Sequence, residues 1–236
     1  GIFFTALGLR ILQGYGQTET SPSVSINIPS TMKLHTVGPP LKGVEVKIAN
    51  DGEILVRGEL VMQGYWRNDE ATRETIRDGW VHTGDIGLID EDGHLRITDR
   101  KKDIIVNSGG DNISPQRIEG ILTIETEIAQ AMVYGDKRSH LVSLLVPDAD
   151  WLAGWAEAAG KPVRLSGLAG DEDLIKALGA VLERVNAKLS NIEKVRRLMI
   201  AGKPFTTDNG LLTPTLKIRR HKIKQIYGEA LEALYR

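Results

Sequence analysis

The feature that most constrains this chain is a change of periodicity across one charged pentapeptide, Asp99-Arg100-Lys101-Lys102-Asp103. Before it, apolar residues recur with period two. Val44 to Ile48 alternates, Asn50-Asp51-Gly52 is a tight-turn signal, and Glu53 to Arg57 alternates again. Gly84 to Ile89 and His94 to Thr98 repeat the arrangement around Asp90-Glu91-Asp92-Gly93. Two hairpins therefore dominate residues 1 to 99, a small β-rich unit. Between them Asn68 precedes Asp69, Glu70 and a short helical run to Ile76, with acids where the dipole of a helix start favours them.

After the pentapeptide, helical and strand periods mix. Ser114 and Pro115 open a helix to about Glu125; strands Ala129 to Tyr134 and Leu141 to Val146 follow. A polar stretch from Gly160 to Gly170 reads as a loop, Asp171 to about Leu189 as an amphipathic helix, Arg196 to Ile200 as a strand, and Ile218 to Leu234 as a last helix. Residues 100 to 236 thus form a second, α+β domain, and the fold class of the chain is α+β. The pentapeptide itself reads either as a solvated turn or as a hinge.

Composition narrows the function classes. Net charge is -1, so no global field selects nucleic acid or an anionic membrane. The absence of cysteine excludes a disulfide scaffold, a thiolate metal site and a cysteine nucleophile. No apolar run reaches transmembrane length and Gly1 to Gly14 lacks a basic n-region with a cleavage site, so a cytoplasmic protein is expected. There is no initiator Met, and Ile2, Phe3, Phe4, Leu7, Leu9, Ile11 and Leu12 read as a helix and strand belonging to a larger core. The expectation is a piece of a longer protein.

Four segments could carry chemistry. Gly14-Tyr15-Gly16-Gln17-Thr18-Glu19-Thr20 combines backbone that can approach a phosphate, hydroxyls, a ring for a base and a carboxylate for Mg²⁺, without being a Walker A loop. Thr83-Gly84-Asp85, at the start of a strand, suits bidentate hydrogen bonding to neighbouring ribose hydroxyls, or is a simple turn. Ser108-Gly109-Gly110 lies between a strand and the helix capped by Ser114, either as a substrate path or as a glycine hairpin. Lys217 follows a Pro-Thr turn, where one ammonium could neutralise charge developing on phosphate. The cluster Lys217, Arg219, Arg220, Lys222 and Lys224 could equally be a nucleic-acid or lipid-headgroup patch. The five histidines read as scattered surface or turn residues, and Trp66, Trp80, Trp151 and Trp155 as packing residues.

In this order, the Gly14 to Glu19 loop, Thr83-Gly84-Asp85, Arg100 with its Ser-Gly-Gly loop, and Lys217 resemble the adenylate-forming superfamily of acyl-CoA synthetases, peptide-synthetase adenylation domains and firefly luciferase. Leu212 to Lys217 looks most like the long-chain fatty acid branch, and Gly58 to Trp66 matches a structural motif of the family. The resemblance implies that residues 1–99 are the C-terminal β-rich subdomain of a large adenylation domain and 100–236 its mobile lid, with the hinge near 100–103, at Lys102 or Asp103. It implies ATP, Mg²⁺ and coenzyme A. Tyr15 would stack on adenine beside Gly16 and Gln17, Thr18 would contact the α-phosphate, Glu19 would serve Mg²⁺, and Asp85 and Arg100 would hold the ribose. Lys217 would assist the attack of a fatty acid or other carboxylic acid on ATP; Ser108, Gly109 and Gly110 would then line the path of the CoA thiol. Peripheral membrane association of the parent enzyme fits such a substrate, and no nucleic acid partner is expected. An acid:AMP ligase loading an acyl carrier protein is the rival enzyme reading, and a basic binding module the non-enzyme one. The family's phosphate loop and most of its acyl pocket do not occur in the chain, so the chain alone is expected to be inactive. Asp111 stands where some relatives carry arginine, and Lys102 where the hinge is often aspartate.

Overall fold

In the computed structural model, which describes residues 2–236, the chain divides into two units between Asp103 and Ile104. The first contains α1 (Ile2–Ala6), β1 (Gly14–Tyr15), β2 (Ser25–Ile26), β3 (Glu45–Ile48), β4 (Glu53–Arg57), α2 (Asp69–Thr75), β5 (Ile76–Arg77), β6 (Trp80–Ile89) and β7 (Leu95–Arg100). Gly52 adopts φ 84° and donates its amide to Ala49 O (2.9 Å), which closes the β3–β4 hairpin at the expected turn. The antiparallel sheet runs β3-β4-β6-β5, with β7 also paired to β6. Val24, Ile54, Val56 and Leu95 are fully buried in its core, each apolar side chain contributing about 1.5–3 kcal/mol by leaving water.

Thr83-Gly84-Asp85 does not start a strand. It interrupts the middle of β6: Leu55 faces His82 and Glu53 faces Ile86, so residues 83–85 bulge out of the ladder, with Gly84 at φ 68°. Two other readings also change. Trp66 is 86% exposed, with its neighbour Arg67 over its ring, so it is not a packing residue. His94 is not a surface residue but is 3% exposed, its Nδ1 3.2 Å from Thr36 Oγ1.

The second unit contains β8 (Ile105–Val106), β9 (Asn112–Ile113), α3 (Pro115–Leu122), β10 (Ile128–Tyr134), β11 (Leu141–Pro147), α4 (Ala149–Ala158), α5 (Leu165–Leu168), α6 (Glu172–Asn186), β12 (Val195–Ile200) and α7 (Arg220–Ala233). Its sheet is β10-β11-β12, antiparallel then parallel. Every residue of β11 is buried because the strand has a core on each side: Leu141 and Leu145 pack with Leu178 and Val181, while Val142, Leu144 and Val146 pack with Phe205 and Ile223. Trp151 and Trp155 pack against the first of these cores.

Helix ends follow side-chain capping. Asp171 accepts from Leu174 N (3.0 Å), so α6 begins one residue later than expected. The α3 helix stops at Leu122, where Thr123 Oγ1 takes up Glu119 O (2.9 Å). The α4 helix is an element additional to those the sequence pattern predicts; Asp148 caps it through Asp150 N and Trp151 N. The short α5 lies inside the stretch read as loop. A bridge between Leu212 and Ile218 delays α7 to Arg220. Among the described residues no helix is long and apolar enough to cross a membrane.

Candidate active-site elements

The loop after β1 is fixed by its own residues. A Cβ on Gly16 would lie 1.6 Å from Pro22 O, so only glycine fits there. Gln17 heads a single 3₁₀ turn, Thr18–Thr20; its amide donates to Thr20 Oγ1 (3.1 Å) and its carbonyl accepts Thr20 N (2.9 Å). Thr18 is thereby exposed. Glu19 is half-buried, its Oε1 accepting from Tyr65 OH (2.7 Å) and its carbonyl from Met62 N (2.9 Å). The hydrogen bond to Glu19 and partial burial push the Tyr65 hydroxyl above its ordinary pKa. One carboxylate held this way suits a Mg²⁺ carried by nucleotide phosphates rather than a cage of protein ligands. No cluster of three or more His, Asp or Glu able to hold a metal ion occurs among the described residues.

Three of the expected residues converge in the same unit. Tyr15 OH donates to Asp85 Oδ2 (2.6 Å), Arg100 Nε lies 2.8 Å from Asp85 Oδ1, and Asp85 and Arg100 face each other in the β6–β7 ladder. Asp85 is 4% exposed. Burial, then the Asp85 carboxylate, raise the Tyr15 hydroxyl far above its ordinary value, so it is a donor at every physiological pH. Each Asp85 oxygen has two lone-pair directions and spends one on these contacts. By lone-pair count each oxygen can accept one further hydrogen bond.

Below the bulge is Glu53, which the sequence alternation did not mark as functional. It is 3% exposed; Oε1 accepts from Gly84 N (2.9 Å), and Oε2 lies 3.0 Å from His82 Nδ1 and 2.9 Å from Lys101 Nζ. Burial opposes its charge, but hydrogen bonds from Lys101, His82 and Gly84 outweigh this and hold its carboxyl below the ordinary range. Lys101 also pairs with Asp51 (2.7 Å). Lys101–Asp103 form one 3₁₀ turn, in which Lys102 is exposed and Asp103 half-buried.

In the second unit Ser108-Gly109-Gly110 form an exposed turn between β8 and β9. Asn107 Oδ1 accepts from Gly109 N and Asp111 N (both 2.9 Å), its Nδ2 donates to Asp111 Oδ2 (2.9 Å), and Gly110 takes φ 87°. Asp111 is thus a turn-forming residue. Ser108 N donates to Arg138 O (3.0 Å). Lys217 is exposed at the end of another tight turn: Thr213 N donates to Lys217 O (2.8 Å), Lys217 N to Thr213 Oγ1 (3.0 Å), and Leu216 takes φ 61°. The basic cluster is not one free surface. Arg220 makes a bidentate pair with Glu119 (2.6 Å for both bonds), and Lys224 Nζ lies 4.9 Å from the Tyr134 ring centre.

Comparison with known proteins gives a consistent result. Residues 2–66 match the family described as AMP-binding enzyme, and residues 102–236 match the AMP-binding enzyme C-terminal domain. The chain is 42% identical over 237 aligned residues to long-chain-fatty-acid–CoA ligase FadD15 of Mycobacterium bovis and to that of Mycobacterium tuberculosis, covering 100% of this chain and 40% of each relative. It therefore spans about 40% of the length of these curated relatives. Among solved structures it is similar to the A domain of carboxylic acid reductase from Segniliparus rugosus in complex with AMP (TM-score 0.77, 26% identity, 99% of this chain and 36% of that one). It is also similar to O-succinylbenzoate coenzyme A synthetase from Bacillus subtilis in complex with AMP (TM-score 0.71, 26% identity, 94% and 42%).

Proposed function

The chain belongs to the AMP-binding enzyme family, and from that premise we propose that it forms the nucleotide-binding subdomain and lid of an ATP-dependent, AMP-forming fatty acid:CoA ligase. The observation that carries this is the buried Asp85, aligned by Tyr15 and Arg100 and retaining one acceptor direction on each oxygen for a ribose diol. The fatty acid as substrate is supported by the 42% identity to long-chain-fatty-acid–CoA ligases.

In the first half-reaction the acid's carboxylate oxygen attacks the α-phosphorus of ATP, and the bond to the bridging oxygen breaks to release pyrophosphate. Asp85 and Arg100 hold the ribose, Tyr15 flanks the base, and Thr18 contributes its hydroxyl to the α-phosphate. Glu19, steadied by Tyr65, would hold the Mg²⁺ that accompanies the nucleotide and offsets phosphate charge. The Lys217 ammonium balances the negative charge that builds in the transition state. In the second half-reaction the CoA thiol, losing its proton to solvent, attacks the acyl carbonyl and AMP leaves. The backbone of Ser108, Gly109 and Gly110 guides the pantetheine arm. Lys102 and Asp103, just beyond the anchored Lys101, form the pivot between the two states. Positioning supplies much of such a rate enhancement, so these 236 residues alone are expected to turn over poorly.

The test is ATP–pyrophosphate exchange with palmitate in the full-length protein. Lys217→Ala should abolish exchange while leaving thioester formation from palmitoyl-AMP and CoA largely intact; equal loss of both steps would refute the assigned role. Replacing CoA with a holo-acyl carrier protein as acceptor separates the rival ligase reading.

A further inference from the structure

We infer that Glu53 is a positioning residue for the nucleotide site, because a single buried carboxylate fixes both strands that carry the ribose contacts. The inference rests on the ribose assignment of Asp85 made above. The bulge at residues 83–85 removes Gly84 N from the ladder, and that amide finds its acceptor in Glu53 Oε1 (2.9 Å). The bulge has two further supports, Thr83 Oγ1 donating to Ile54 O (2.7 Å) and Asp85 N donating to Thr83 Oγ1 (3.1 Å). Neither of these holds Gly84. A slip of one residue in β6 would send Asp85 to the opposite face of the sheet, so whatever stabilises the bulge decides where Asp85 points.

The other oxygen acts on the neighbouring strand. Glu53 Oε2 lies 2.9 Å from Lys101 Nζ, and Lys101 directly follows Arg100, the partner of Asp85 in β7. Asp51, in the turn that precedes Glu53, binds the same ammonium at 2.7 Å and also accepts Glu53 N (3.1 Å). The end of β7 is thereby tied to the β3–β4 turn. His82 Nδ1, 3.0 Å from Oε2, completes the set around the carboxylate. Among the described residues no hydrogen bond or ion pair joins Glu53 to Asp85 or Arg100; it acts through Gly84 and Lys101.

The experiment measures binding of AMP and of 2′,3′-dideoxy-AMP to the full-length protein by calorimetry. Wild type should prefer AMP. Glu53→Gln keeps an acceptor for Gly84 but loses the charge, and should weaken AMP about tenfold while changing dideoxy-AMP by about twofold at most. Lys101→Met cuts only the second arm and should weaken AMP by about threefold. Hydrogen exchange at the Gly84 amide should accelerate in Glu53→Leu, which offers that amide no acceptor. An equal loss for both nucleotides, an unchanged preference for AMP, or unchanged exchange at Gly84 overturns the positioning role. A wild-type protein that does not distinguish the two nucleotides overturns the ribose assignment itself, and this inference with it.

Discussion

Replacing Glu119 should break the start of α7, three residues beyond Lys217. Glu119 is 7% exposed on α3; its Oε1 accepts from Val133 N (2.7 Å) and Arg220 Nη1 (2.6 Å), and its Oε2 from Arg220 Nη2 (2.6 Å). One carboxylate thus joins a helix, the edge strand β10 and the first residue of α7. Glu119→Gln preserves an acceptor for Val133 but loses the charged fork, which should cost about 1.5–3 kcal/mol. Glu119→Leu also orphans the buried amide and leaves the guanidinium, only 16% exposed, without this carboxylate, raising the cost to about 3–5 kcal/mol. For a unit of this size that corresponds to a fall in melting temperature of roughly 10 °C or more. Urea unfolding combined with hydrogen exchange at Val133 assigns the loss to the second unit. A double-mutant cycle with Arg220→Met isolates the pair, with an expected coupling of about 2 kcal/mol. Additive single variants, or a Glu119→Leu protein within about 0.5 kcal/mol of wild type, would refute the reasoning.

Two further outcomes follow from other parts of the structure. Gly16→Ala places a methyl 1.6 Å from Pro22 O and should displace the Gly14 to Thr20 loop, costing about 1–3 kcal/mol of stability and weakening AMP by about tenfold or more; intact AMP binding would contradict the proposed role of that loop. The hydrogen bond from Lys33 (2.6 Å), with the amides of His94 and Asp92, lowers Asp90 to about 2 from the ordinary 3.8. A depressed carboxylate contributes its stability above 3.8 and loses it as pH falls towards about 2. A carboxyl-carbon NMR titration should therefore place Asp90 near 2 in wild type and closer to 3.8 in Lys33→Met, whereas a wild-type midpoint near 3.8 would dismiss the ion pair as a crowd of exposed charges.

What was legible in the chain was what depends on near neighbours. The Asn50-Asp51-Gly52 turn, the Ser114 cap before Pro115 and the continuous apolar run of β11 each write their conformation within a few residues. The α4 helix escaped because Trp151 and Trp155 recur at helical spacing in a stretch too short to separate from a buried loop, and its cap, Asp148, follows directly on a strand. The cluster of Tyr15, Asp85 and Arg100 was legible only as separate motifs. Nothing in Tyr15 or Asp85 says that one hydroxyl will meet the other's carboxylate across 70 residues. Glu53 was illegible for a stronger reason. A glutamate beside a turn has the pattern of a solvent-facing residue, but β4 is buried on both faces from Glu53 to Val56, and the bulge in a different strand supplies the amide that its carboxylate accepts. Its partner at Gly84 depends on pairing register, a property of two strands at once. The same holds for Arg220, which counts as one more charge in a basic run until α3 supplies Glu119 opposite it. Long-range partners therefore decide which charged residues of this chain are held in ion pairs, whereas Lys217 is exposed at a turn closed by its own neighbours Thr213 and Leu216.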